Sequence, residues 1–295
     1  MVKVGLVTVL FNSDDVLEGF FKSLSIQTFI DYHLYIVDNT PSVKTDELIE
    51  KLSKIYSFSA FTHIKNESNV GVAKGNNQGI KLSLNDNTTY TLLLNNDIEF
   101  HDPELFSKLW EHAIANKESL IIPKILFFDT HKIWMAGGEF VLYKGITRHV
   151  GEGEEDNGLY SSEKYFKYAP TCFMLIENTV FGNIGLMDEK YFVYFDDTDF
   201  LYRAHLNGYK VKYLPQLCVL HKVSSSTGGN ESAFSIYYSN RNRLYFIRKN
   251  FKAIRKLVAI SVTLVTRIVK YINYGPYERK KLYSAVTDGL NMKYK

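Results

Sequence analysis

The sequence predicts an α/β protein built on a mostly parallel sheet, and three observations carry that reading. Over the first 125 residues, short β-rich runs alternate with helical stretches, a repetition that requires right-handed crossovers between parallel strands. Polar residues follow the strands directly, at Phe11-Asn12, Asp38-Asn39 and Asn95-Asn96-Asp97, where open α/β sheets collect their ligands. The 295 residues are 45% hydrophobic and 23% charged, with 21 Tyr and 20 Phe, enough apolar surface to offset chain entropy and exclude a disordered protein.

The elements follow in order. Runs at 3–10, 33–37, 57–63 and 90–94 are apolar, β-branched and too short for helices, so they read as strands. Helical patterns fill 14–25, 43–55 and 72–84. Residues 130–168 change character, with Gly137, Gly138, Gly145, Gly151, Gly153 and Gly158 around an acidic cluster at 152–156, which reads as a hairpin and a mobile loop. A strand at 171–176, a helix at 178–182, a helix opened by the acidic stretch 196–199 and a strand at 210–214 complete the body. An apolar stretch at 217–220 then leads to His221 and a flexible run at 224–229.

From Phe251 the pattern is helical and two-faced. Lys252, Arg255, Lys256, Ala259, Thr263, Arg267 and Lys270 share one side, and Ile254, Leu257, Val258, Val265, Ile268, Val269 and Ile272 fill the other. Its longest uncharged run is ten residues, 257–266, against the roughly 20 needed to span a bilayer, so it lies on a membrane surface or on protein. The chain therefore divides into a body, 1–250, and a basic amphipathic extension, 251–295.

Charge follows the same division. Residues 241–295 hold 14 Lys/Arg against Glu278 and Asp288, a net +12, whereas residues 1–240 carry a net −9. Such a tail suits anionic lipid, nucleic acid or an acidic partner. Nucleic-acid binding is disfavoured because aliphatic residues, not aromatic stacking platforms, fill the tail's other face. Two cysteines, Cys172 and Cys218, build neither a disulfide framework nor a zinc site, and the N-terminus reads as a strand and not a signal peptide; both point to a cytoplasmic setting.

Four groups of residues carry chemistry. Asp97, after an apolar strand, puts a hard anionic oxygen at the sheet edge, where a divalent cation bridges to phosphate; the same tripeptide also reads as a plain turn. Asp196-Asp197 follow an aromatic run, a setting that raises a carboxylate pKa and suits a general base; acidic residues at a helix start also simply complement the macrodipole. His221 completes a metal site or is an ordinary half-buried histidine. Residues 69–79 offer backbone N–H groups and Lys74 to a phosphate or ribose edge, without a Walker A or GxGxxG pattern.

Taken in order, these residues resemble family 2 glycosyltransferases of the GT-A fold, and within it the rhamnosyltransferase-like branch of bacterial surface polysaccharide synthesis. The matching pieces are 7–12, Ile36-Val37-Asp38-Asn39, Asn69-Val70-Gly71, 75–79, Asn95-Asn96-Asp97 at the DxD position, 185–192, 196–199, Arg203, Gly208-Tyr209, Pro215, His221 and Arg241-Asn242. They span residues 3–250. The resemblance implies a Rossmann-like, nucleotide-binding mixed sheet flanked by helices. In it Asp38 binds the base, with Thr8, Phe11, Asn12 and Asn39 around it, and Lys74, Asn77, Asn95, Asn96 and Arg203 lie toward the nucleotide sugar. Asp97 and His221 would hold Mn²⁺ or Mg²⁺, and Asp197 would be the base, with Asp196 its neighbour. Two departures stand out: Asn95 replaces the first carboxylate of DxD, and Asp196 replaces the usual Glu. The implied reaction is inverting, metal-dependent and non-processive. It transfers L-rhamnose from dTDP-rhamnose, or the sugar of a UDP-hexose or UDP-galactofuranose, to a hydroxyl of a glycan or polyprenyl-diphosphate-linked acceptor. The tail would sit peripherally on the cytoplasmic membrane or form a homodimer. Two rivals are a pyrophosphorylase, disfavoured because 11–15 is acidic and lacks glycine, and a catalytically silent sugar-nucleotide binder.

Overall fold

The computed structural model describes residues 3–58, 60–223 and 232–294. Strands and helices alternate first: β1 (Val4–Leu10), α1 (Asp14–Ser25), β2 (Tyr32–Asp38), α2 (Val43–Ile55), β3 (Phe61–Lys65), α3 (Val72–Asn85) and β4 (Tyr90–Leu94). β1 pairs in parallel with β2 and with β4, and β2 with β3. All their polar successors therefore emerge at one sheet edge. α3 lies close on β1 because Gly79 has no side chain there; a Cβ would come within 2.4 Å of Val7.

The second half adds β5 (Ile98–Glu99), α4 (Leu105–Asn116), β6 (Leu120–Phe127), β7 (Ile133–Met135), β8 (Gly138–Val141), β9 (Ile146–His149), β10 (Lys164–Phe166), β11 (Phe173–Glu177), α5 (Asn178–Ile184), α6 (Asp196–Leu206) and β12 (Val211–His221). The main sheet runs β10-β12-β6-β11-β4-β1-β2-β3. β11 is antiparallel to both β4 and β6, so its start meets the end of β4 and its far end meets the start of β6. The sheet is mixed, and its apolar interior joins both halves in one core.

Two elements were not expected and two expectations are corrected. α4 and β6 have no counterpart in the sequence reading. β3 begins at Phe61 and not at Ser57, because Ser57 takes a φ of 49° and its N–H bonds back to Lys54, turning the chain off α2. The strand at 210–214 and the apolar stretch 217–220 are one strand, β12, interrupted where Pro215 removes a donor and the register shifts between Leu214 and Cys218. The flexible run 224–229 lies outside the described residues.

Three helices close the chain: α7 (Ala233–Asn250), α8 (Ala253–Asn273) and α9 (Pro276–Asn291). Ser232 caps α7 by accepting from Ser235 N at 3.1 Å. α9 packs back on α7, where Arg248 donates to the carbonyls of Gly289 and Met292 and Tyr237 bonds Asp288 at 2.6 Å. α8 docks by the side that carries the charges in its pattern: Ala259 and Thr263 are fully buried, while the aliphatic side faces outward.

Candidate active site

Two clefts adjoin at the sheet edge. The first, about 340 Å³, is lined by residues after β1, β2 and β4, by the start of α3 and by Phe192 and Phe234. The second, about 600 Å³, is walled by β9, by 168–172 and by 193–198, with His221 at its floor. Val72, Asn95 and Val193 belong to both, so the clefts communicate.

Asp97 and His221 meet where the clefts join. β5 pairs antiparallel with the end of β12, and Lys222 N bonds the Asp97 carbonyl at 2.9 Å, which locks the two segments together. His221 Nε2 stands 3.3 Å from Asp97 Oδ1, and both side chains are largely buried. Asp97 Oδ1 and His221 Nδ1 have no hydrogen-bond partner despite full burial. A buried carboxylate beside an imidazole, with one oxygen and the ring's other nitrogen unsatisfied, is a donor set that fits a divalent cation. Among the described residues no third His, Cys, Asp or Glu joins them, so a cation held here would take its remaining ligands from other oxygens.

The acidic stretch divides by role. Asp196 and Asp197 open α6 after two aromatic residues in the left-handed region, Tyr194 (φ 63°) and Phe195 (φ 68°). That conformation costs about 1–2 kcal/mol per residue. Asn242 of α7 holds it, donating to the carbonyls of Val193 at 2.7 Å and Tyr194 at 2.9 Å. Asp197 lines the second cleft and accepts from Tyr168 Oη at 2.8 Å and from Thr198 N and Oγ1. Burial raises its pKa and those hydrogen bonds oppose the rise. Asp196 is raised to about 8, first by burial and then by the Asp197 charge. Two neighbouring buried carboxylates titrate as a pair, and of the two Asp197 is the one whose ionised form is favoured by hydrogen bonds from Tyr168 and Thr198. Asp199 is different: fully buried, it takes Lys249, Asn250, Tyr191 and Arg203 as partners and ties α6 to α7.

On the other side, Phe11, Asn39, Asn95, Asn96 and Asp97 line the first cleft. Asn96 is held by donating to Val9 O at 2.9 Å, and Asn39 by donating to Gly71 O and accepting from Asn66. Gly71 must lack a side chain: at φ +84° a Cβ would lie 2.3 Å from the Phe192 carbonyl. Asp38 ends β2 wholly buried, with Oδ1 accepting from Thr40 N and Oδ2 3.4 Å from His63 Nε2, behind the cleft wall.

Several expected residues are not brought to the clefts. Arg203 donates to Asp199 and to the carbonyls of Ile184 and Leu186, so its guanidinium is committed to the fold. Asn77 is consumed by the Met187 backbone and Glu189. Lys74 is exposed outside both linings, Thr8 is buried in the sheet, and Asn12 faces a separate depression beside Thr40. The sequence reading missed Tyr168, Trp134 and His149. Trp134 stands edge-on between His149 and His221, 4.5 Å from each ring. Burial lowers the His149 pKa, keeping it neutral. No periodicity marks these three; a Trp and a His inside a glycine-rich stretch were the available signal.

A family model described as glycosyl transferase family 2 matches residues 6–178, more than half of the chain. The low-salt glycan biosynthesis hexosyltransferase Agl10 of Haloferax volcanii is 24% identical over 269 residues, 90% of this chain and 81% of that protein. The dTDP-rhamnosyl transferase RfbF of Shigella flexneri is 23% identical over 273 residues, 88% and 86% of the two chains. Among solved structures, mannosyltransferase PcManGT from Pyrobaculum calidifontis in complex with GDP-Man and Mn²⁺ superposes with a TM-score of 0.61 at 10% identity, covering 98% of this chain and 87% of that one. The architecture is GT-A-like, a mixed sheet flanked by helices.

Proposed function

This chain belongs to glycosyltransferase family 2, and we propose that it moves one sugar, with inversion, from a nucleoside diphosphate to a hydroxyl of a glycan or polyprenyl-diphosphate-linked acceptor. The observation that carries the reading is the convergence of Asp97 with His221 on one side and of Asp197 on the other, on two communicating clefts. The first cleft takes the nucleotide, with Phe11 and Asn39 toward the base, and the second takes the acceptor against Trp134, His149 and Tyr168.

Asp197 accepts the proton of the acceptor hydroxyl as that oxygen bonds to the sugar's C1. The bond from C1 to the diphosphate oxygen breaks on the opposite face, and one displacement inverts the anomeric centre. A proton held on Asp196 would remove a second negative charge from beside the base. Asp97 and His221 would hold Mn²⁺ or Mg²⁺, whose chemistry here is to neutralise charge growing on the leaving diphosphate. The Mn²⁺ that accompanies GDP-Man in the mannosyltransferase complex supports that pairing. Supported by the names of the two sequence relatives, the donor class is a nucleoside-diphosphate hexose or deoxyhexose, dTDP-rhamnose first among them. Release of nucleoside diphosphate from dTDP-rhamnose and UDP-hexoses, with Mn²⁺ or chelator, tests the reading. Absence of cation-dependent turnover on every donor would reject it.

A further inference from the structure

A metal-ligating histidine is normally oriented through its second ring nitrogen, which bonds a carboxylate, a backbone carbonyl or water. His221 lacks that support. Its Nε2 stands 3.3 Å from Asp97 Oδ1, and Nδ1 is buried with no hydrogen-bond partner among the described residues. What meets the ring instead is Trp134, with ring centroids 4.5 Å apart and an interplanar angle of 88°. Rings favour that edge-to-face arrangement because their charge distributions then complement each other. The indole also meets His149 at 4.5 Å and 68°, and the His149 ring bonds the Trp134 backbone, so Trp134 is itself held from a second direction.

The backbone brings the two rings together through one shared strand. Trp134 is the middle residue of β7, which pairs with β6 at Leu126↔Ile133 and Ile125↔Met135. Along its other edge β6 pairs with β12, where Phe127 stands opposite His221, and Phe128 N bonds the His221 carbonyl at 3.0 Å. The turn after β9 closes on β7 from outside: Ile133 N donates to Glu154 O at 2.9 Å and Gly153 N to Ile133 O at 2.8 Å. Indole and imidazole are thus carried by strands locked to the same neighbour.

We propose that Trp134 is a positioning residue for the cation pair: its indole takes the place of the hydrogen bond that Nδ1 lacks and keeps the His221 imidazole turned with Nε2 toward Asp97. The inference rests on the reading of Asp97 and His221 as the cation site. The test titrates Mn²⁺ into the full chain with UDP or dTDP present, by calorimetry and by tryptophan emission, after subtracting binding to the nucleotide alone. Wild type, Trp134→Phe, Trp134→Leu and Trp134→Met are compared, with melting temperatures alongside. The other tryptophan, Trp110, packs on Tyr90 at the start of β4, whereas Asp97 lies beyond that strand's end, so cation-dependent emission reports Trp134. Paramagnetic Mn²⁺ should quench wild-type emission and Mg²⁺ should not. The half-saturating Mn²⁺ should rise about 10-fold or more in the Leu and Met variants, and Trp134→Phe, which keeps a ring, should recover most of the loss. Equal Mn²⁺ affinity in all four proteins would overturn the proposal, as would an effect that follows loss of melting temperature and not loss of the ring. So would Mn²⁺ binding to wild type that leaves its emission unquenched, a result that depends on no variant folding. Wild type that binds no Mn²⁺ beside either nucleotide would remove the cation reading itself and the positioning role with it, so the two failures are distinguishable.

Discussion

Tyr168 donates its hydroxyl to Asp197 Oδ2 at 2.8 Å, across the wall of the larger cleft. A base must be ionised to take a proton, so turnover should rise with pH through the Asp197 pKa. The tyrosine hydrogen bond favours the ionised form. Tyr168→Phe should therefore move the acid limb of the kcat profile to higher pH. Asp197→Asn should lower kcat by about 10²–10⁴-fold with donor affinity nearly unchanged, read by pH-rate profiles and calorimetric donor titration.

Asp97 and His221 hold the unsatisfied oxygen and nitrogen at the cleft junction. Asp97→Asn and His221→Ala should each cut turnover by about 10²-fold or more and raise the Mn²⁺ concentration needed for half-maximal rate. Cation titration of initial rates checks this; an unchanged metal requirement in both would remove the pair from the metal site.

Asp196 has a folded pKa of about 8, far above its value in the unfolded chain. Between the two values the folded state holds a proton that the unfolded state lacks, so this group's stabilising contribution is full in acid. It should fall by ~1.4 kcal/mol per pH unit and be gone above the folded value. Asp196→Asn should flatten that dependence. Urea unfolding of both proteins at about pH 5 and pH 8 gives the comparison.

Asn242 restrains two strained aromatic residues ahead of the base. Asn242→Ala should cost about 1–3 kcal/mol of stability and lower kcat more than it changes the donor KM, because the acceptor wall loosens while the first cleft keeps its own contacts. Chemical denaturation and steady-state kinetics separate the two effects.

Arg203 supplies the contrasting case. With its guanidinium spent on Asp199 and two carbonyls, Arg203→Ala should lower stability by about 1.5–3 kcal/mol and leave the donor KM near wild type. A large KM increase at unchanged stability would place it in the nucleotide site after all.

Sequence patterns revealed α1, α2 and β4 to the residue, because each shows one period between clear turn signals. They concealed α7: Asn240, Asn242, Arg243, Tyr245 and Phe246 are all buried on a helix flanked by the body and α9, so no polar side remains to set a period. Asp97, Asp197 and His221 were readable because each follows an apolar run, whereas Tyr168 and His149 reach the cleft only through the folding of 138–168. Arg203 and Asn77 misled for the opposite reason: polar residues near a motif served packing. For α8 the two faces were legible, but not that the charged one would turn inward, which depends on the small side chains of Ala259 and Thr263.

The two clefts draw on separate stretches of chain. Residues 9–97 supply most of the first, and 134–239 most of the second, with Val72, Asn95 and Val193 as the hinge of ownership. If the clefts divide donor from acceptor as proposed, changes at 146–149 or 168–172 would alter the recipient and leave the portion facing the activated sugar untouched.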